Sequence, residues 1–427
     1  MSEIELPSHW KIIKFDEVCQ FTSKPRNLKY TNYEKIPFIP MDLIPIGNLC
    51  FDKFVWKLSS QISSGTYFEN GDFLLAKITP SFENGKQGII KNLPLDFGVA
   101  TTEVIPIKGI PSLSDREFLA YYLLRQDIRN ELAQKMEGST GRQRLSKTIL
   151  EKLEIPLPPL PEQKSIAHTL RTIQKAKQTR QRELELERER KAALMQYLFT
   201  HGTQSYNNKA ELQNTKIGYI PKHWYIEQCK NICEKISVGV VVKPASHYVE
   251  KGVPAFRSLN IKEDRISTDK LVFFSEEANN NTLSKSKLRT GDVLIVRTGY
   301  PGTSCVVPPE FEGANCIDLV FARPKTEVIT SEYLSRYFNS SEGKRQALAA
   351  KTGLAQQHLN VNAVQRCLIP IPSLQEQNQI TDVLIACDRK ISSLEKEIAI
   401  LDELFHAMLE QLMTGKISTK HLSEIHL

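Results

Sequence analysis

Ile155-Pro156-Leu157-Pro158-Pro159-Leu160-Pro161-Glu162-Gln163 returns half a chain later as Ile369-Pro370-Ile371-Pro372-Ser373-Leu374-Gln375-Glu376-Gln377. Each copy is a proline-rich run that precedes a helix and closes on Glu-Gln, with Glu162 placed favourably at the positive end of the helix dipole. Past each copy the apolar spacing turns helical, with Ile166 and Leu170 matched by Ile380 and Leu384. The same offset ties Leu6-Pro7-Ser8-His9-Trp10 to Ile220-Pro221-Lys222-His223-Trp224. One offset at both ends describes a tandem repeat of about half the chain. Between the ends the register slips by a few positions, so that Gly71-Asp72-Phe73-Leu74 faces Gly291-Asp292-Val293-Leu294, as surface loops of unequal length require.

Each repeat changes texture once. Short runs rich in Ile, Val, Phe and Tyr, broken by Gly, Pro, Asn and Asp every eight to twelve residues, predict a strand-rich domain interrupted by a helical stretch near Arg116 to Met136. A long helix follows. In the second repeat Ser373-Leu374-Gln375-Glu376 reads as a capping box, and Ile380, Leu384, Cys387, Ile391, Leu394, Ile398, Leu401, Phe405, Met408 and Leu412 keep a heptad seam. A helix of roughly 35 to 40 residues, about 55 Å long, needs a partner along that seam. In the first repeat Pro161 suits a first helical turn, and Ile166, Leu170, Ile173, Leu184, Leu194 and Leu198 keep the seam at its ends. Lys177, Arg180, Glu187 and Lys191 interrupt it. Two readings stay open for that polar middle: a solvated face laced with ion pairs, or a stretch that fixes register against the second helix.

Composition removes several classes. The 427 residues are 41% hydrophobic with 20 Gly and 22 Pro, which excludes collagen-like and low-complexity chains. No apolar run reaches the roughly 18 residues of a membrane span, and the acidic start Met1-Ser2-Glu3-Ile4-Glu5 is unlike a signal peptide, so a cytoplasmic protein away from membranes is expected. Eight Cys without C-x-x-C spacing argue against a disulfide framework and a zinc ribbon. Cys229 and Cys233, with His223 upstream, would share a helix face at i, i+4. The repeat counters a metal reading, because Cys229, Cys367 and Cys387 fall where the first repeat has Phe15, Leu153 and Ile173 and so read as small core hydrophobes. His9 and His223, each before a Trp, read as structural.

No P-loop, G-x-G-x-x-G, H-E-x-x-H, G-x-S-x-G or Asn/Asp-Pro-Pro-Tyr/Phe box occurs. Glu162-Gln163-Lys164 has nuclease-like E-x-K spacing, but the second copy has Asn378 for Lys164. No catalytic residue, cofactor or metal is expected. Basic and polar loops stand out instead. The segment 138–147 joins a flexible Gly/Ser/Thr loop to Arg142, Gln143, Arg144 and Lys147, and its partner 351–360 holds Gln356, Gln357 and His358. Lys77, Thr79 and Lys86 in one repeat correspond to a loop with Arg297, Thr298 and Tyr300 in the other, and Lys24 and Arg26 sit at the same early position as Lys243. Arg, Gln, Asn and Lys make bidentate base-edge contacts, while Ser, Thr and glycine amides suit phosphates. Each residue alone fits a solvated loop as well as a DNA contact; the joint pattern favours DNA.

Together the L-P-x-H-W start, the G-D-[FV]-L strand, the I-P-[LI]-P-x-L-x-E-Q signal and the ending Leu409-Glu410-Gln411-Leu412-Met413-Thr414-Gly415-Lys416-Ile417 resemble the specificity subunit of type I restriction-modification systems over essentially the whole chain. The first copy of that ending departs, with His201 where Gly-Lys is usual. The resemblance implies an α+β protein with target-recognition domains at 1–157 and 219–371 and long helices at 158–202 and 372–415. A linker at 203–218 and a tail at 416–427 complete the division. It implies that the helices pair as an antiparallel coiled coil with pseudo-two-fold symmetry and set the spacing of two half-sites on double-stranded DNA. It also implies docking of two modification subunits, which methylate adenine, and of motor-nuclease subunits, with this chain non-catalytic. A methyltransferase or nuclease with an unrecognised site and a non-DNA coiled-coil scaffold remain alternatives. Residues 1–210 hold 30 basic and 24 acidic residues against 26 and 25 in the remainder, so the first repeat is expected to carry more phosphate contact.

Overall fold

Phe73-Leu74-Leu75-Ala76 is buried along its whole length, and that continuous apolar run marks a strand covered on both faces. In the computed structural model, which describes residues 6–139, 141–203, 211–349 and 358–418, it is the centre of a five-stranded sheet. The order is Cys19–Phe21, Val104–Gly109, Phe73–Ala76, Gln87–Ile90, Cys50–Phe51. Its side chains alternate as a pleat demands: Phe73 and Leu75 join the core beneath the helix Arg116–Tyr122, while Leu74 joins Ile39, Ile44, Phe68 and Ile90 on the other face. A four-stranded sheet, Val55–Leu58, Lys35–Ile39, Phe97–Ala100, Thr66–Glu69, supplies Ile39, Phe68 and Ala100 to that second core.

The second strand-rich domain repeats this plan. Val293–Val296 lies between Leu319–Pro324 and Ser304–Val306, with Cys233–Val238 at the edge. A second sheet runs Tyr248–Val249, Val272–Phe274, Val253–Phe256, Asn315–Cys316. In both domains one pair in the second sheet is parallel, Lys35–Ile39 with Phe97–Ala100 and Val253–Phe256 with Asn315–Cys316. The strand Lys11–Lys14 pairs with Glu154–Leu157, and Tyr225–Gln228 pairs with Leu368–Ile371, which closes each domain on its own ends. The expected linker 203–218 is partly structured: Leu212–Thr215 forms a hairpin with Gly218–Pro221, because Gly218, at φ +96°, makes the turn that brings them together.

The two helices run Leu160–His201 and Leu374–Met413. The chain divides into two compact units, one of residues up to Arg182 with those from Glu395 onward, the other from Glu183 to Leu394. Each helix therefore gives half its length to each unit. In the first unit Lys177 pairs with Asp402, and Arg180 Nε lies 2.9 Å from Glu397. In the second, Glu183 meets Lys390 at 2.8 Å and Lys191 meets Asp388 at 2.6 Å. Rising numbers on one helix against falling numbers on the other make the pairing antiparallel within each unit. Ile380, Leu384, Cys387, Leu394, Phe405 and Leu412 of the heptad seam are buried. Lys177, Arg180 and Lys191 thus face carboxylates of the second helix, the register-fixing reading, while Glu187 takes the local i, i+3 pair with Arg190.

The repeated Glu-Gln gains its physical reason here. Glu162 Oε2 lies 2.8 Å from His9 Nε2 and accepts the Trp10 indole N–H, and Glu376 Oε2 lies 3.0 Å from His223 Nε2 and accepts the Trp224 N–H. Gln163 accepts the Asp115 N–H and donates to the carbonyls of Leu113 and Pro158; Gln377 accepts the Thr330 N–H and donates to Val328 and Pro372. Both amides are fully buried with every role matched, so they lock the helix start to the domain before it. The capping box is consequently half made. Ser373 Oγ accepts the Glu376 N–H, but the Glu376 carboxylate goes to His223, Trp224 and the Thr203 N–H rather than back to the cap.

The cysteine pair also differs from expectation. Cys229 opens a 3-10 turn and Cys233 opens a strand, so they share no helix face, although their Sγ atoms are 3.9 Å apart in the core. Cys229 and Phe15 are equally buried, as are Cys367 and Leu153. Burial pushes the Cys19 and Cys367 thiols up to about 12, which leaves them inert as nucleophiles.

Candidate nucleic-acid interface

Both repeats bring two of the expected basic segments together by the same backbone bond. The Leu145 N–H donates to the carbonyl of Lys77 at 2.7 Å, and the Leu359 N–H donates to that of Arg297 at 3.1 Å. Leu145 and Leu359 are buried anchors, so Arg144 and His358 just before them are held at the end of the central strand. Beyond the anchors Ser146 and Asn360 cap short helices by accepting the N–H groups of Ile149 and Ala363. The loops after Cys19–Phe21 and Cys233–Val238 leave from the same end. The Thr22 N–H meets Pro106 O there, and the Gly239 N–H meets Leu319 O.

The segment 138–147 is more ordered than a flexible loop. Glu137–Ser139 and Arg142–Arg144 form a two-stranded hairpin, made possible by glycines at φ +134° and +81° at positions 138 and 141. The Thr79 N–H donates to Gln143 O, and Ile78 bridges Arg144, so the hairpin extends the 77–79 segment. Arg142 is exposed and Gln143 half-buried. Thr79 turns its hydroxyl inward to Glu83, and Lys86 donates to Met41 O. Lys24 lies 4.1 Å over the Tyr30 ring, and Arg26 is exposed in the same loop.

In the second domain Tyr300 is 84% exposed at a turn, Thr298 donates to Asp318, and Lys243 is exposed in the left-handed region at φ +43°. His358 is exposed just before the Leu359 anchor, while Gln356 and Gln357 lie outside the described residues.

Two acids that sequence reasoning passed over stand at the centre of these clusters. Glu103 binds the Arg144 guanidinium in a fork, Oε1 at 2.7 Å and Oε2 at 3.1 Å. Asp318 binds Arg297. Glu103 and Asp318 stand within one position of the repeat offset, each just before the strand that flanks the central one, so a comparison of acids between the repeats would have revealed them. The hydrogen bond from Arg144 holds the Glu103 carboxyl below the usual range. Burial, with Arg144 and Lys147 nearby, lowers the Lys77 ammonium despite Glu103. An open cavity of about 400 Å³ in the first domain is lined by Lys77, Glu137, Arg144, Ser146 and Lys147, and one of about 460 Å³ in the second by Arg297, Asp318, Asn360 and Asn362. Their Lys, Arg, Ser and Asn side chains are donors suited to phosphates and base edges, while Glu137 and Asp318 only accept. Among the described residues no cluster of three His, Cys, Asp or Glu could hold a metal, and no helix is long and apolar enough to cross a membrane.

The chain matches the type I restriction modification DNA specificity domain twice, over residues 7–188 and 221–403. It therefore belongs to that family. A specificity subunit of the type I restriction enzyme MjaVIII from Methanocaldococcus jannaschii is 24% identical over 336 residues, 76% of each chain. The EcoKI specificity subunit of Escherichia coli is 21% identical and aligns over 99% of this chain and 92% of its own. The S subunit of a type I restriction-modification system from M. genitalium shares the fold with a TM-score of 0.56 at 15% identity, covering 96% of this chain and 97% of that one.

Proposed function

We propose that this chain is the DNA-reading subunit of a type I restriction-modification complex and that each strand-rich domain reads one half of a bipartite duplex target. It supplies specificity and not catalysis, as its relatives, named as specificity subunits, do. The observation that carries the reading is the doubled loop cluster, with one scaffold, one anchoring bond and one acid position but different side chains around them. Reading two unlike half-sites requires that combination, because the frame must place loops alike while base-edge partners differ. The basic loop residues of both clusters are the contacts we assign to DNA.

The paired helices hold the half-sites at a fixed spacing and dock two modification subunits, with motor-nuclease subunits joining in the cytoplasm to cleave unmodified DNA. The test is methylation-sensitive long-read sequencing of a host expressing this chain with its modification subunit. Methylated adenines in one two-part motif with a constant spacer are expected, and methylation without such a motif would refute the reading. Saturable binding of S-adenosylmethionine to the purified chain alone would point instead to an enzyme.

A further inference from the structure

The two acid–cation pairs are equivalent in place but not in construction. In the first domain the cation is Arg144, reaching across from the hairpin, while Lys77 stands at the end of the central strand. In the second domain Arg297 stands at the end of that strand, in the place of Lys77, and supplies the cation itself. The acid stays and its partner's source changes. The loop is already anchored by the backbone pairing of Leu145 and Leu359, with Arg297 Nε adding a bond to the Leu359 carbonyl, so the acids are not needed to hold it.

The pairs also sit at the boundary with solvent. Arg144 is 60% exposed against 20% for Glu103, and the Asp318 side chain is 45% exposed against 16% for Arg297, so one member of each pair is open to solvent. Solvent at the exposed member screens the attraction, so a competing phosphate can reach and open the pair from that side. Each pair borders the open cavity of its cluster. An arginine left without an acid at that edge would grip any phosphate it met, and this sequence-independent grip is what erodes discrimination.

We propose that Glu103 and Asp318 are positioning residues for specificity, each holding an arginine, Arg144 or Arg297, away from phosphates of non-target DNA until the cognate half-site engages the loop. This inference rests on the DNA-reading function proposed above. The acids act through the arginines and need not touch the bases. Isosteric amides suit both positions, because Glu103 keeps its backbone bond to Lys77, and Asn tolerates the left-handed φ of +52° at position 318.

The experiment measures binding of the full chain, co-expressed with its modification subunit, to duplexes carrying the motif found by methylation sequencing and to random duplexes, across a salt series. For random duplex, Glu103→Gln and Asp318→Asn should each steepen the slope of log affinity against log salt by about 0.9, one phosphate contact, and lower the target-to-random ratio. Glu103→Gln combined with Arg144→Gln should return the slope to that of the unsubstituted chain, which a merely structural role for Glu103 would not do. An unchanged slope in both single variants would overturn the inference. So would a loss confined to one base pair of the target, which would mean that the acid reads a base directly. If the unsubstituted chain shows no preference for the motif, the functional reading fails and this inference with it.

Discussion

Arg336 stands where the first domain has Tyr121, each six residues past the cap of the helix that faces the long helices, at Thr330 and Asp115. Arg336 bridges Asp264 of its own domain and Asp388 of the C-terminal helix, at 2.8 Å and 2.6 Å, and Lys191 of the central helix binds the same two acids. Asn339 completes the set by donating to Asp264. Tyr121 instead donates its hydroxyl to Gln174 at 2.8 Å and packs on Phe405. Gln174 and Phe405 are the equivalents of Asp388 and Lys191 at the repeat offset. One domain is joined to its helices by ions, the other by a neutral hydrogen bond and aromatic packing.

That difference predicts unequal costs. Arg336→Met removes two charge-assisted contacts from a mostly buried site but leaves Lys191 on both acids, so it should cost about 1.5–3 kcal/mol. Tyr121→Phe removes one hydrogen bond and should cost about 1 kcal/mol. Urea unfolding read by hydrogen exchange over 183–201 and 374–394 for the first variant, and over 160–182 for the second, checks the ranking. Equal protection losses would contradict it.

The repeat, the strand-rich domains, the helix starts and the heptad seam were legible in the sequence because local spacing and one constant offset carry them. The glutamate and glutamine of the doubled signal were visible as a pattern, but their partners lie far along the chain, 152 and 153 residues away for Trp10 and His9. The polar middle of the central helix was ambiguous for the same reason, since Asp402 and Asp388 name its role only once the helices are antiparallel. The hairpin at 137–144 hid behind its glycines, which signal flexibility as readily as a turn with positive φ. Glu103 is silent in its local sequence because its partner Arg144 lies 41 residues further on, and a lone acid near basic residues reads as charge balance.

The two Gly-Asp turns predict opposite responses. Asp292 is buried in a bidentate pair with Arg323, and Asp292→Asn should destabilise the second domain by about 3–5 kcal/mol. In the first domain Lys108 takes the place of Arg323 but pairs with Glu69, and burial leaves the Asp72 carboxyl above its ordinary range. A raised native value means that the folded domain binds the proton more readily than the unfolded chain, so ionised Asp72 costs stability at neutral pH and relaxes as pH falls. Asp72→Asn should therefore match or exceed the unsubstituted melting temperature at pH 7, with any gain shrinking as pH falls toward 3.8. A gain that grows on acidification would reverse the sign.

Arg142 is exposed beside the hairpin turn and is the natural probe of the first cluster. Arg142→Ala should weaken binding of the target duplex. A base contact would appear as relaxed preference at one position worth about 1–3 kcal/mol, a phosphate contact as an equal loss on all duplexes with a salt slope shallower by about 0.9. Undiminished affinity in filter binding would remove the hairpin from the interface.

The ion pairs between the helices dictate how a spacer change must be built. Glu183–Lys390 and Lys191–Asp388 lie on either side of Arg188. A heptad inserted after Arg188 alone moves one of these pairs a full repeat out of register, so that variant should lose stability and methylation together. A second heptad after Arg389 falls between Asp388 and Lys390 and restores both pairs. The matched insertion adds about 10 Å of helix, or roughly three base pairs of duplex at about 3.4 Å each. Methylation sequencing should then find the same two half-sites with a spacer about three base pairs longer. An active double-insertion variant that keeps the original spacer would show that the helices do not measure the distance.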